Sequence, residues 1–118
     1  MSKSNDLNIL IGEKLSSVIF VMDYLQIDFD GNRFTFNVWP KIMVQGTLTE
    51  FGSFEYRNIL CSLIGSKISQ VELIEYVHLR LTFTNKDTIT VSLDPTNQEI
   101  ICPEIINFSD TKNNLYVW

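Results

Sequence analysis

This 118-residue sequence is poor in the residues from which most catalytic and metal sites are built. It has two cysteines, one histidine, five glycines and three prolines. Two cysteines, Cys61 and Cys102, are too few for a disulfide framework. Their neighbours Leu60 and Ile101 are apolar, so buried free thiols are expected. Zinc requires clustered Cys and His ligands, which one histidine and two distant cysteines do not supply. The glycines stand alone at 12, 31, 46, 52 and 65, so no glycine loop exists to cradle a phosphate. The pattern asks for no metal and no cofactor. No run approaches the ~18 apolar residues of a membrane span. The opening Met1-Ser2-Lys3-Ser4-Asn5-Asp6 lacks the apolar stretch of a signal peptide, and a cytosolic chain is expected. Basic residues are few as well: nine Lys and Arg face fourteen Asp and Glu, for a net charge of −5. Nucleic acid and anionic membrane both select a basic surface, so neither is expected as partner.

Apolar residues are plentiful. They form 45% of the chain against 19% charged residues, enough to build a core. The length suits one domain over residues 1–118.

The strongest signal is an internal repeat. Leu10-Ile11-Gly12 recurs as Leu63-Ile64-Gly65, and Lys14, Ser16 and Val18 recur as Lys67, Ser69 and Val71. After one inserted residue Leu25 and Phe29 match Leu79 and Phe83, and after another Thr35 and Pro40 match Thr90 and Pro95. The units span about residues 7–40 and 56–95, and 96–118 form a C-terminal extension. In the second unit Tyr56, Ile59, Leu60, Leu63 and Ile64 follow the stripe of an amphipathic helix. Gly65 sits where a left-handed cap belongs, and Ser53 or Ser4 would serve as N-caps. In the first unit Leu7, Leu10 and Ile11 give a shorter helix before Gly12.

Beyond each glycine the period becomes two. Leu25, Ile27 and Phe29, then Phe34, Phe36 and Val38, alternate with polar residues. Leu79, Leu81 and Phe83, then Ile89, Val91 and Leu93, do the same. This is the pattern of antiparallel strands with one wet face. Asp30-Gly31-Asn32 and Thr84-Asn85-Lys86-Asp87 read as hairpin turns. Further strands are expected at Ile42–Val44, Glu99–Cys102 and Leu115–Trp118. The fold class is therefore α+β and β-rich: two pseudo-symmetric helix-strand-strand-strand repeats forming antiparallel sheets around one core. Ile19 and Val21 put apolar groups on both faces of the first strand, which a helix or a dimer contact would cover.

No catalytic signature accompanies this framework, and the chain is not expected to be an enzyme. His78 falls on a wet strand face beside Arg80, and no local motif pairs it with Cys61 or a serine. Asp28-Phe29-Asp30-Gly31-Asn32 lacks the spread of ligands and the closing Glu of a calcium loop. Charge placement is more informative. No basic residue lies between Lys86 and Lys112, where Asp87, Asp94, Glu99, Glu104 and Asp110 occur. Only acids lie between Lys14 and Arg33, namely Asp23, Asp28 and Asp30. Such carboxylates would either solvate a face or steer a basic partner toward it. Trp39 and Trp118 are candidate aromatic anchors.

In size, acidity and its LIG-x-K openers at Leu10–Lys14 and Leu63–Lys67, the chain resembles the small acidic bacterial immunity proteins of contact-dependent and polymorphic toxin systems. The same opener also looks like that of small bacterial domains without an assigned activity. The immunity resemblance implies a cytosolic, non-catalytic module that covers a basic toxin domain with an acidic surface. Asp28, Asp30, Trp39, Asp94, Glu99, Glu104, Asp110 and Trp118 are the residues expected to carry it. The competing expectation is a β-roll or barrel whose Phe20, Phe29, Phe34, Phe36 and Phe83 enclose a small apolar ligand.

Overall fold

The computed structural model describes residues 7–94 and 104–118. The expected N-cap Ser4, the strand Glu99–Cys102, the thiol of Cys102 and the carboxylate of Glu99 lie outside the described residues. The chain opens with a 3-10 turn, Leu7–Leu10. Three strands follow: β1 (Ser17–Phe20), β2 (Leu25–Phe29) and β3 (Asn32–Phe36). A hairpin of β4 (Lys41–Val44) and β5 (Thr47–Thr49) leads to the helix α1 (Tyr56–Ser62). Then come β6 (Ile68–Ile74), β7 (His78–Phe83) and β8 (Thr88–Ser92). A last hairpin joins β9 (Ile106–Ser109) and β10 (Leu115–Val117).

The strands form two five-stranded antiparallel sheets, ordered β1-β2-β3-β9-β10 and β5-β4-β8-β7-β6. Each sheet thus holds one three-stranded meander and one hairpin that the chain adds from elsewhere. Hairpin β4–β5 follows the first meander but extends the second through β4 against β8. Hairpin β9–β10 follows the second meander but extends the first through β9 against β3.

The meanders form because alternation gives each strand one apolar side. Leu25, Ile27 and Phe29 face inward with Phe34, Phe36, Ile106 and Phe108. Leu79, Leu81 and Phe83 do so with Ile89, Val91 and Ile42. All join one apolar cluster with Leu7, Leu10, Leu15, Tyr56, Leu60 and Leu63. Phe34 stands 4.6 Å from Phe108 and 5.5 Å from Phe36, ring centre to ring centre. Ring against ring fills this part of the interior.

The two halves meet along a short crossing beyond each helix. Lys14 and Lys67 form an antiparallel bridge. Around it Gly12 N–H donates to the Ile68 carbonyl at 2.7 Å, and Gly65 N–H to the Leu15 carbonyl at 2.7 Å. Leu15 N–H donates to the Ser66 carbonyl and Ile68 N–H to the Glu13 carbonyl, both at 3.0 Å. Gly65 has the expected positive φ of +94°. Its amide, however, bonds across the crossing rather than back into α1, which ends at Ser62.

Three local expectations need correction. The helix is short, and only Tyr56, Leu60 and the adjoining Leu63 are buried. Ile64 is largely exposed. Cys61 is exposed rather than buried, because it follows Leu60 by one position, about 100° round the helix. Ser53 does not cap the helix from the N-cap position, which Glu55 occupies without a side-chain bond. Instead the Ser53 carbonyl accepts from the Tyr56 amide. Among the described residues no helix is long and apolar enough to cross a membrane.

Gly65→Ala isolates backbone conformation from packing, since no atom lies within 4 Å of a Cβ built there. The left-handed φ should cost about 1–2 kcal/mol for an L-residue. A lower urea midpoint is expected, and an unchanged one would refute the cost assigned to this crossing. Tyr56→Phe removes the 2.6 Å bond from the phenol to the buried Pro40 carbonyl. It should destabilise the chain by about 1–2 kcal/mol in the same measurement.

Candidate functional site

Of the acidic residues singled out by sequence, the described ones fall at several ends of the strands rather than on one face. Asp28 and Asp30 belong to the β2–β3 hairpin, whose turn residues Asp30 and Gly31 both have positive φ. Asp28 is engaged inside that hairpin. Its Oδ1 accepts from the Gly31 amide at 2.6 Å, and its Oδ2 pairs with Arg33 Nε at 3.0 Å. Asp30 is exposed, with its backbone amide bonded to Ser16 Oγ.

Asp110 lies at the same end of the sheet, just beyond the Arg33–Ser109 pair. Its side chain organises the β9–β10 loop. It accepts the Asn114 amide at 2.9 Å, the Asn114 side-chain amide at 3.0 Å and the Lys112 amide at 2.9 Å. These donors, the Asn114 amide first, hold its carboxyl below the usual aspartate range against the opposing effect of desolvation.

Glu104 is exposed at the opposite end of that sheet, where its carbonyl accepts from Asn37 Nδ2 at 2.9 Å. Trp118 sits nearby, half-buried, with its carbonyl taking the Ile105 amide. Asp94 follows β8 at the far end of the other sheet, next to the Leu93–Val77 backbone bond. Register explains the dispersal. Residues that are close in a charge count alternate between sheets and strand ends once the hairpins cross over.

The polar face of the second sheet carries His78, as expected. Its Nε2 lies 2.5 Å from Glu72 Oε1, and Arg80 Nη1 lies 3.6 Å from the same oxygen. The hydrogen bond with His78 is the main reason the Glu72 carboxyl is held below its usual range. The His78 side chain is half-buried, and Arg80 also lines an open depression with Lys41, Met43 and Leu48.

A second aromatic group gathers away from the acids that the sequence singled out. Trp39 leaves the end of β3 and stacks on Phe51, centre to centre 4.2 Å at 10°. Phe20 lies beyond it at 6.5 Å. Tyr56 meets Trp39 and Phe51 edge-on at 6.4 and 5.7 Å. The Arg57 guanidinium stands 5.9 Å from the Phe20 ring centre, within cation–π range. Tyr56 is the buried foot of this group, and burial pushes its phenol above the usual value. Phe51 remains 53% exposed and Phe54 is fully exposed. Trp39 thus stands on neither open side of a strand. It forms the inner wall of an aromatic shelf whose outer surface is Phe51, with Phe54 projecting into solvent nearby.

Beside the shelf runs an open groove of about 480 Å³, lined by β5, Glu50, Phe51, Ser53, Glu55 and Ile59. Sequence reading missed β5, Phe51 and Phe54. The signal for the hairpin was present: Gln45-Gly46 lies between the apolar run Ile42-Met43-Val44 and the alternating Thr47-Leu48-Thr49, and both residues adopt the positive φ of a tight turn. The exposure of Phe51 and Phe54 left no signal, because no periodic pattern covers residues 50–55.

Compared with protein-family models, curated proteins and solved structures, the chain matches none.

The Asp110 loop yields a pH prediction. A depressed carboxyl pKa adds stability above the ordinary value near ~4, and that stability is lost as pH falls through the lowered native value. The urea midpoint of the wild type should therefore fall faster below about pH 4 than that of Asp110→Asn. Parallel profiles would show that the loop bonds do not bind the charged form preferentially.

Proposed function

We propose that the chain is a non-catalytic protein-binding module that captures a basic protein partner, in the manner of an immunity protein neutralising a toxin domain. The observation that carries this reading is the solvent-facing aromatic shelf. Phe51 presents apolar surface backed by Trp39 and Tyr56, and Phe54 stands fully exposed near it. Rigid aromatic anchors of this kind dominate binding energy at protein interfaces. Glu50 and Glu55 flank the shelf, and the net charge of −5 provides a field that speeds encounter with a basic surface. Exposed Asp30 and Glu104 contribute to that field. Asp28 and Asp110 serve hairpin and loop geometry first. A cytosolic setting belongs to the same reading. The apolar-ligand alternative draws less support, since Phe29, Phe34, Phe36 and Phe83 are fully buried core residues, three of them in ring-to-ring contact.

We also infer that the chain is a duplicated unit with pseudo-twofold symmetry. Matching Gly12 to Gly65 makes the four bonds of the crossing into two corresponding pairs, with Lys14 against its counterpart Lys67. The hairpin exchange follows the same correspondence. Asn32 Oδ1 accepts the Thr111 amide, and its counterpart Asp87 accepts the Gln45 amide through Oδ1.

The functional reading is tested with the protein encoded beside this chain. Co-expression should relieve that protein's toxicity, and the purified pair should associate more slowly as salt rises from about 0.05 to 0.5 M, as screening shortens the range of the field. Phe54→Asp should weaken the complex about tenfold or more without altering the melting curve. Absence of both rescue and complex would remove the immunity reading. A salt-independent rate would remove the electrostatic part.

A further inference from the structure

The groove beside the aromatic shelf has the features of a strand-docking site. β5 ends its sheet, pairing with β4 alone. The pairs Val44–Thr47 and Ile42–Thr49 flank Met43–Leu48. A two-residue turn makes its closing pair, Val44–Thr47, the hydrogen-bonded one. Alternation along an antiparallel ladder then turns the N–H and C=O of Leu48 away from β4, toward the open edge. All three β5 residues line the groove and no β4 residue does.

Natural sheets guard open edges with charges, prolines or bulges. β6, at the opposite edge, carries Glu72, has a register shift between Ile68 and Gln70, and has its start covered by the Gly12–Leu15 crossing. β1 has α1 packed against it, and β10 (Leu115-Tyr116-Val117) is, like β5, an edge without charge or proline. β5 reads Thr47-Leu48-Thr49 and carries neither charge nor proline. Its groove has an apolar floor of Phe51 and Ile59, with Glu50 and Glu55 as its only charged lining residues. Glu50 shares its charge with Lys41 at 3.2 Å, whereas Glu55 makes no ion pair among the described residues. An apolar floor beside uncompensated negative charge selects an apolar side chain adjoining a cation.

We propose that this groove receives an extended segment of the basic partner as a sixth strand beside β5. The segment sets an apolar side chain on Phe51 and Ile59, and a lysine or arginine against Glu55. Backbone bonds to Leu48 supply strand pairing, and the side chains supply selection. Three residues of β5 span about 10 Å, so the segment needs only three or four residues in register. This inference rests on the partner-binding reading above and names the surface and the chemistry that reading left open.

Three synthetic hexapeptides test it against the full-length, isotope-labelled chain by NMR: alternating lysine–valine, alternating glutamate–valine, and the lysine–valine peptide N-methylated at alternate amides. At millimolar concentration the lysine–valine peptide should shift the Thr47, Leu48 and Thr49 amides and slow hydrogen exchange at Leu48. The glutamate peptide should not, and the N-methylated peptide should lose the exchange protection. Glu55→Lys should weaken the lysine–valine peptide roughly fivefold. Equal shifts from the lysine and glutamate peptides, protection that survives N-methylation, or no shift at β5 would each overturn the proposal. Shifts confined to the Asp30 and Asp110 end would reject this groove while leaving the basic-partner reading intact. β5 shifts that depend on protein concentration without peptide would assign the edge to a second copy of the chain instead.

Discussion

The structure depends on the crossing at Gly12–Leu15 and Gly65–Ile68. Four backbone bonds and the Lys14–Lys67 bridge fasten the segments that lead into β1 and β6. Because the two entry points are joined, both meanders start from one place and turn their apolar sides toward a shared interior. The glycines allow it: each takes a left-handed φ just where its amide must reach across to the other half.

Hairpin exchange completes what the crossing begins. A three-stranded meander alone would leave the wide apolar sides of β3 and β8 with unpaired backbone edges. β9 covers one and β4 the other, which satisfies those edges and adds Ile106, Phe108 and Ile42 to the core. The exchange also decides where function can reside. It carries Phe51 and Phe54 out on the connection from β5 to α1, a segment that the core does not need to bury. It leaves β5 at a sheet edge, beside carboxylates with no cation lining their groove.

Much of this was legible in the residues. The meanders follow from two-residue alternation, since burial of one strand face needs only local pattern. The turn at Asp30-Gly31 follows from residues that tolerate positive φ, whereas in Thr84–Asp87 the positive φ falls on Lys86 rather than on Asn85. The opener shared by Leu10–Lys14 and Leu63–Lys67 marks the very segments that cross. The site was less legible. Acidity in the sequence suggested one negative face, but Asp28 and Asp110 are taken up by hairpin and loop bonds, while Asp30 and Glu104 are exposed at different ends and Asp94 is half-buried on the other sheet. Trp39 was a candidate anchor without a place in the fold; β3 ends at Phe36 and the indole stacks on a ring from a later loop. Cys61 looked apolar in its neighbourhood, but a short helix buries only one narrow stripe.

The sequence by itself determined what alternates: which residues form most of the strands and which of their faces turn inward. Those are local properties, set by backbone sterics and the period of the side chains. Only the tertiary structure decided that each hairpin completes the other meander's sheet, that Trp39 lies beneath Phe51, and that β5 is left open beside Glu55. Those depend on long-range pairing, and pairing partners are chosen by the free energy of closing one core rather than by any residue's own preference.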